Sequence, residues 1–178
     1  FFDTLSILQS YTLNGHTLQI DLLPENLPIR NAFALQIYVG DFLTDSDRVN
    51  LYSYNPSSGK LSFINSQVSG NTIYASTSSF GAFRLAQDTL PPTINQPIYH
   101  RLDNGERVFS IKANDSLSGI DFTTAVFIIN KERGIAEFDY ENNEFTFYLP
   151  GFVPKKVNEI YFQVKDRAGN ISEAIFQL

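Results

Sequence analysis

The side chains best suited to chemistry in this chain are oxygen donors gathered in two short segments of its second half. Asp115 and Asp121 lie in the segment NDSLSGID, and Asp166 and Asn170 bound the segment DRAGN. Carboxylate and amide oxygens are the ligands that Ca²⁺ prefers, and the ion takes about six to eight of them. These four residues are therefore candidate calcium ligands, provided that the fold brings the two segments together; no other cofactor is predicted.

The same residues also suit an ordinary structural role in turns. Asp, Asn and Ser side chains hydrogen-bond to nearby backbone groups, and Asn tolerates a positive φ. Neither segment has the alternating D-x-D-x-D-G spacing of a dedicated calcium loop. Turn formation is therefore the alternative interpretation of these acidic residues, and the absence of that spacing favours it.

The sequence offers few candidates for catalytic residues. The two histidines, His16 and His100, lie in different halves of the chain, and no Gly-x-Ser-x-Gly nucleophile motif accompanies either of them. A glycosidase needs a pair of carboxyl groups. The pair considered for that role, Asp45 and Asp47, lies in a short polar segment that is typical of a solvated turn. We predict that the chain is not an enzyme.

Tyrosines offer a third kind of chemistry, because an aromatic ring can stack on the apolar face of a sugar. The candidates are Tyr52, Tyr54, Tyr74, Tyr99, Tyr140 and Tyr148. Side chains alternate between the two faces of a strand, so about half of the aromatic residues of a strand point to the core. Core packing is therefore the alternative interpretation for each tyrosine, and no ligand-binding residue is assigned.

These residues are set among short segments in which apolar and polar residues alternate. Residues 49–54 (VNLYSY) and 60–64 (KLSFI) flank the turn NPSSG and form the clearest example. Aromatic and β-branched residues are frequent, turn residues recur at short intervals, and no segment has helical periodicity. The chain is therefore predicted to be all-β.

Two adjacent prolines divide the chain. Residues 80–87 (FGAFRLAQ) are predicted to be the last strand of one module, and Pro91-Pro92 a stiff linker to the next. Short strands at regular spacing indicate that the first module is a β-sandwich. We predict two tandem β-domains, at residues 1–88 and 94–178, joined by a short linker at 89–93.

Composition restricts the class of protein further. The 178-residue chain has a formal net charge of −6 and its Lys and Arg residues do not cluster, so no nucleic-acid partner is predicted. No apolar run approaches the length of a membrane span. Cysteine is absent, which excludes disulfides and thiolate metal sites. Methionine is absent too and the sequence begins at Phe1, so we expect a piece of a longer protein.

Two stretches resemble known families. The order LYSYN, GKLSFI and NTIYASTSSFGAFRLAQDTLPPTI resembles a β-module that precedes Ig-like repeats in large secreted bacterial proteins. Residues 115–120 (DSLSGI) and 164–170 (VKDRAGN) are similar to segments of bacterial Ig-like domains. This second resemblance spans nearly all of the second module and implies that it is a seven-stranded Ig-like sandwich. In such a sandwich the B–C and F–G loops share one end, which would gather the predicted calcium ligands near Asp88, the last residue before the linker.

The resemblance also implies where the protein works and what it does. We expect a bacterial protein located extracellularly, in the periplasm or at the cell surface. Its function would be that of a non-catalytic structural or interaction module pair, whose partners are neighbouring domains of the same longer chain or another surface protein. The alternative is an accessory module that binds a polysaccharide or another cell-wall polymer beside a catalytic domain outside this sequence.

Overall fold

The computed structural model describes residues 6–12, 17–23, 30–39, 48–101, 105, 107–148 and 155–178. Within these residues the chain consists of antiparallel strands and turns without a helix, so the predicted all-β fold is confirmed. Contacts divide the chain into two units, Phe1–Thr89 and Leu90–Leu178. Each unit has its own hydrophobic core.

The first unit contains a five-stranded and a three-stranded antiparallel sheet. Its strands are β1 (Ser6–Thr12), β2 (Thr17–Leu23), β3 (Phe33–Tyr38), β4 (Val49–Tyr54), β5 (Leu61–Ile64), β6 (Ser66–Ser69), β7 (Thr72–Thr77) and β8 (Gly81–Gln87). They pair in the orders β1-β2-β8-β4-β5 and β3-β7-β6. Side chains from both sheets meet in one core, so this unit is a β-sandwich.

The alternation of apolar and polar residues decides which face of each sheet is buried. Ile20 and Leu22 of β2 and Ile73 and Ala75 of β7 all belong to the first core. Successive side chains of a strand point to opposite faces, so Tyr74 points away from that core. A slip of one residue in the pairing would expose the whole apolar set, and burying each large aliphatic side chain is worth about 1.5–3 kcal/mol. Burial therefore fixes the register.

The second unit is also built from two antiparallel sheets. Its strands are β9 (Thr93–Ile94), β10 (Ile98–Arg101), β11 (Arg107–Asn114), β12 (Ile120–Ile129), β13 (Glu132–Arg133), β14 (Ile135–Asp139), β15 (Glu144–Tyr148), β16 (Glu159–Asp166) and β17 (Ile171–Gln177). One sheet has the order β10-β11-β15-β14, with β9 also paired to β11, and the other has the order β13-β12-β16-β17.

Phenylalanine rings hold the two sheets of the second unit together. Phe145 and Phe147 on β15 and Phe127 and Phe162 on β12 and β16 are at most 1% exposed. The rings of Phe127 and Phe147 stack with their centroids 3.8 Å apart, and the Phe162 ring packs edge-on against Phe147 at 5.7 Å. Contacts of this kind add to the free energy gained by burying the rings. The second unit is therefore a β-sandwich as well.

The first strand of the second unit is interrupted. The sequence predicts one strand over residues 94–99, but β9 ends at Ile94 and β10 begins at Ile98. Pro97 lies between them and has no N–H group to donate to a ladder, so the strand breaks there. The described residues of this unit consequently form nine strand segments, where the predicted sandwich has seven strands.

In the first unit, the position of one turn also differs from the predicted one. The sequence predicts a turn over residues 67–71, but β6 continues to Ser69 and pairs with β7, with Val68 opposite Ile73. Only Gly70, which has a φ of 54°, and Asn71 form the turn. Gln67 is therefore a strand residue.

Candidate functional site

Asp115 lies in the turn that joins β11 to β12. Its Oδ2 atom accepts hydrogen bonds from the amide N–H groups of Leu117 at 3.0 Å and Gly119 at 2.7 Å. Gly119 has a φ of 80°, a left-handed conformation that glycine adopts without steric cost. The carboxylate of Asp115 therefore holds this turn in shape.

Asp166, the last residue of β16, holds the turn that leads to β17. Its two carboxylate oxygens accept hydrogen bonds from the backbone N–H of Asn170 at 2.8 Å and from the side-chain amide of Asn170 at 2.7 Å. The amide N–H of Arg167 donates to the carbonyl oxygen of Gly119 at 2.9 Å, which joins this turn to the one that contains Asp115. The two segments therefore share one end of the second unit.

The structure brings three of the four predicted calcium ligands together. A carboxylate oxygen of Asp115 lies within 4.8 Å of one of Asp166, and Asn170 is hydrogen-bonded to Asp166. Two carboxylates at such a separation repel each other, and a cation would relieve that repulsion. The calcium site stays a prediction for these three residues. Melting curves recorded with a chelator and with calcium chloride test it, because a ligand that binds the folded state raises the melting temperature.

Asp121, the fourth predicted ligand, is placed differently. The sequence predicts it in the loop, but it lies on β12 opposite Lys165. Its Oδ1 atom accepts hydrogen bonds from the N–H group of Thr123 at 3.1 Å and from the Thr123 hydroxyl at 2.6 Å. No described group of three or more acidic residues with carboxylates within 4.8 Å of one another includes Asp121. Asp88 belongs to the first unit, and its proximity to these loops stays a prediction.

The residues considered for catalysis are only partly described. His100 lies on β10 opposite Val108 and is partly buried. His16, Asp45 and Asp47 lie outside the described residues. The absence of enzymatic activity therefore stays a prediction.

Another candidate site lies on the outward face of the three-stranded sheet in the first unit. Six of its side chains form two adjacent cross-strand rows, and we call them the neutral face because none of them carries a charge. One row contains Tyr38, Thr72 and Ser69, and the other contains Gln36, Tyr74 and Gln67.

Tyr74 lies at the centre of the neutral face, on the central strand β7. Gln36 of β3 and Gln67 of β6 are its direct cross-strand partners. The Cβ atoms of opposite residues in an antiparallel pair lie about 4.5–5.5 Å apart, so both side-chain amides can reach the edge of the ring. Tyr74 is 43% exposed, and no hydrogen bond between described residues engages either amide. A ring between two available amides thus faces outward.

Tyr38 widens this aromatic surface. It lies opposite Thr72 and is therefore the diagonal neighbour of Tyr74. Diagonal neighbours on one face of an antiparallel pair lie about 7–8 Å apart, within the reach of aromatic side chains. Tyr38 is 70% exposed. The neutral face consequently presents two neighbouring tyrosines, of which Tyr38 is mostly exposed and Tyr74 is nearly half exposed.

A shallow open cleft of about 350 Å³ adjoins Tyr74 on the side away from Tyr38. Exposed Asn65 and Ser76 line it together with Tyr74 and Gln67. The hydroxyl of Ser66, which also lines the cleft, accepts a hydrogen bond from the Leu51 amide at 3.1 Å and so anchors β6 to β4. The cleft is lined by amide, hydroxyl and aromatic groups and has no charged side chain.

The neutral face and its cleft suit binding rather than catalysis. A side-chain amide offers two N–H donors and a carbonyl acceptor, which match the hydroxyl groups of a polar, uncharged ligand. The face of a tyrosine ring accepts an apolar surface. The residues of the face include no carboxylate, imidazole or amine to act as an acid or a base.

Two other tyrosines of the first unit are already engaged. Tyr52 is 0% exposed and its ring packs edge-on against Phe63 at 5.8 Å. The guanidinium carbon of Arg84 lies 3.3 Å from the centroid of the Tyr54 ring, so a cation covers that ring. Tyr52 is therefore buried and unavailable to a ligand, and Arg84 covers one face of the Tyr54 ring.

Two tyrosines of the second unit are engaged too. The ring of Tyr99 packs against that of the buried Phe109, with the centroids 4.7 Å apart. Tyr148 lies opposite Val108 in the pairing of β15 with β11 and is partly buried. The Tyr99 ring therefore helps to cover the second core. Tyr148 follows the core residue Phe147 on β15, so its side chain points to the opposite face of the sheet.

Tyr140 belongs to an aromatic patch of a different character. Its ring packs edge-on against Phe122 at 5.1 Å and Phe138 at 5.0 Å, and Phe138 packs against the core. Tyr140 is 61% exposed. The adjacent Asp139 accepts a hydrogen bond from the side-chain amide of Asn142 at 2.7 Å, the largest cause of the lowered pKa of its carboxyl group. This patch therefore carries a negative charge, in contrast to the neutral face.

Some residues of the neutral face are not predicted from the sequence. Tyr74 is one of the six candidate tyrosines, but Tyr38, Gln36 and Gln67 are not predicted as site residues. The signal that could have identified Tyr38 is its position after Ile37, because an apolar residue that points inward places its neighbour outward. Gln67 is missed because it is assigned to a turn.

Comparisons with models of known protein families, with curated proteins and with solved structures found no match for this chain. No helix in the described part of the chain is long and apolar enough to cross a membrane. Function must therefore be inferred from the arrangement of the side chains themselves.

Proposed function

We propose that the chain is a non-catalytic pair of β-sandwich modules from a bacterial protein located extracellularly, in the periplasm or at the cell surface. Its function is to space, present or dock neighbouring domains of a longer chain, or to dock another surface protein. The observation that carries this proposal is the order of the strands in the second unit.

That order supports the Ig-like assignment. In an Ig-type sandwich strands A, B, E and D form one sheet, and strands C, F and G form the other. The second unit has β10-β11-β15-β14 in one sheet and β12-β16-β17 in the other, with the short β13 added beside β12. Sandwiches with this arrangement commonly occur in cell-surface proteins.

The hydrogen bonds at the ends of the second unit support a role as a stiff spacer. At one end, Asp115 and Asp166 hold the turns that follow β11 and β16. Near Asn158, the side-chain amide of Asn130 donates to the Asn158 Oδ1 atom at 3.0 Å, and the Asn158 amide N–H donates to the Leu178 carbonyl at 2.7 Å. Polar groups bonded to one another in this way restrain the loops between the strands.

Amide hydrogen exchange tests the stiff-spacer proposal. The N–H groups of Gly119 and Asn170 should exchange at rates close to those of strand amides, because each donates to a carboxylate. Replacing Asp115 with Ala should accelerate exchange at Gly119 and leave the amides of β4 in the first unit unchanged. Fast exchange at Gly119 and Asn170 in the unmodified chain would contradict a stiff spacer.

We also propose a second function, that of an accessory module which binds a carbohydrate beside a catalytic domain elsewhere in a longer protein. The observation that favours it is the neutral face, where Tyr74 lies between Gln36 and Gln67. The two functions are compatible, because the first is supported by the second unit and the second by the first unit.

A further inference from the structure

The neutral face differs from the rest of the chain in its charge. The chain has 19 acidic and 13 basic residues. None of them lies in the two rows of the neutral face or lines the adjoining cleft. An exposed sheet face without charge in an acidic protein matches a ligand that is itself uncharged, because a charged ligand would find no ion-pair partner there.

We propose that the neutral face binds an uncharged glycan, with the ring of Tyr74 stacked on one sugar and the amides of Gln36 and Gln67 hydrogen-bonded to its hydroxyl groups. This inference rests on the proposed carbohydrate-binding function and deepens it, because it assigns the site and the ligand class. A sugar ring has an apolar face of C–H groups and a rim of hydroxyl groups. Tyr74 matches the first and the flanking amides match the second.

The positions of the neighbouring groups predict a ligand longer than one sugar. Tyr38 lies on β3, Tyr74 on β7, and the cleft with Asn65 and Ser76 continues beyond Tyr74 toward β6. These groups follow a diagonal across the three strands. A glycan chain lying along this diagonal would place one sugar on each tyrosine and a third in the cleft.

Two other occupants of an exposed sheet fit these observations less well. An added β-strand would bind the backbone edge of β3 or of β6 and would leave Tyr74, on the central strand, largely uninvolved. A second copy of the chain would bring two molecules of net charge −6 together, with no basic residue on the face to offset the repulsion. The central position of Tyr74 and the two flanking amides favour the glycan.

Affinity electrophoresis of the whole chain tests the proposal. Native gels would contain hydroxyethyl cellulose or galactomannan as uncharged polysaccharides, with carboxymethyl cellulose as the anionic counterpart of the first. We expect at least one uncharged polysaccharide to retard the protein, and carboxymethyl cellulose to retard it less. Tyr74→Ala should weaken binding about tenfold, since one aromatic contact is lost. Tyr140→Ala, which removes an exposed tyrosine of the second unit, is the matched control and should bind normally.

A second variant guards against a folding artefact. If Tyr74→Ala lowers the melting temperature markedly, the double variant Gln36→Ala, Gln67→Ala replaces it, because both side chains point outward and their amides form no hydrogen bond with a described residue. Loss of two hydrogen bonds to the ligand should also weaken binding about tenfold. Unchanged circular dichroism and an unchanged melting temperature show that the fold is intact.

The remaining outcomes distinguish a failure of the assigned site from a failure of the proposed accessory function. Binding that survives the neutral-face substitutions, or that is lost in Tyr140→Ala, would overturn the assigned site and leave the accessory function standing. Stronger retardation by carboxymethyl cellulose would overturn the uncharged ligand class. If no uncharged polysaccharide retards the protein, both the site and the accessory function fail. A dimer that Tyr74→Ala dissociates would assign the face to a second copy instead.

Discussion

Tyrosine and glutamine lie side by side on outward sheet faces of both units, but they are bonded differently. In the second unit the hydroxyl of Tyr161 donates to Glu173 at 3.0 Å and lies 3.3 Å from the Gln163 Oε1 atom. In the first unit Tyr74 lies between two glutamines whose amides form no hydrogen bond with a described residue. Tyrosine and glutamine are thus hydrogen-bonded on the face of the second unit and available to a ligand on the face of the first. The difference is that a carboxylate, Glu173, lies beside the tyrosine of the second unit.

Charge follows the same division. The outward face of β16 and β17 carries Glu159, Lys165 and Glu173, whereas the neutral face carries no charge. The pKa of the Tyr161 phenol is raised above its usual value of 10.0, first by partial burial and then by the hydrogen bond to Glu173. A tyrosine engaged in this way offers less to a ligand, so residue type alone does not identify a binding face.

The largest expected difference is between two adjacent residues of β7. Ile73 is 0% exposed in the first core, so Ile73→Ala should lower the free energy of unfolding by about 2–5 kcal/mol. Tyr74 points outward, and Tyr74→Ala should cost less than about 1 kcal/mol. Urea unfolding followed by circular dichroism measures both variants. Equal losses would mean that Tyr74 stabilises the fold and is not reserved for a ligand.

A smaller difference is expected between an occupied and an available amide. The Oδ1 atom of Asn158 accepts hydrogen bonds from Asn130 at 3.0 Å and from the Lys155 amide at 3.0 Å. Asn158→Ala leaves buried polar groups without these partners and should cost about 1–3 kcal/mol. Gln36→Ala removes no bond between described residues and should change the free energy of unfolding by less than about 0.5 kcal/mol.

Urea unfolding of the two variants beside the unmodified chain checks this pair. The comparison holds only if the slope of each unfolding curve is unchanged, since a changed slope reports an altered unfolded or native state. A loss at Gln36 as large as the loss at Asn158 would show that its amide is engaged in the folded protein. The neutral face would then no longer be an available surface.

Much of the fold could be predicted because burial on one side of a sheet imposes a period of two on the sequence. Residues 49–54 and 72–77 are predicted with the bounds that β4 and β7 have. β6 is missed because its four residues, SQVS, contain a single apolar side chain. Val68 is held by its pairing with Ile73 across the hairpin, and a pattern within one segment does not show that pairing.

The neutral face could not be predicted, because it depends on which strands are neighbours. Gln36 and Gln67 flank Tyr74 only through the order β3-β7-β6, which joins distant parts of the chain. Alternation itself also fails where both faces of a strand are covered. Leu51 and Tyr52 are consecutive residues of β4 and both are 0% exposed. The rule that side chains alternate between buried and exposed therefore does not predict that Tyr52 is buried.

The smallest expected effect concerns the phenol of Tyr161 and its carboxylate neighbour. Glu173→Gln removes the negative charge and the carboxylate that accepts the phenol proton, so the Tyr161 pKa should fall toward 10.0. It should stay above that value, because partial burial is the largest cause of the shift and persists in the variant. Nuclear magnetic resonance of the tyrosine ring carbons across alkaline pH measures the change.

The same shift has a consequence for stability whose sign can be worked out. A phenol with a raised pKa in the folded state stabilises the protein fully below its unfolded pKa, and this stabilisation is lost as the pH rises through the folded value. The unmodified chain should therefore lose stability above about pH 10, and Glu173→Gln should lose less over the same range. Tyr161→Phe, which cannot titrate, is the control and should remove this part of the pH dependence. Unchanged titration of Tyr161 in Glu173→Gln would show that the carboxylate does not engage the phenol, and the contrast between the two faces would then rest on charge alone.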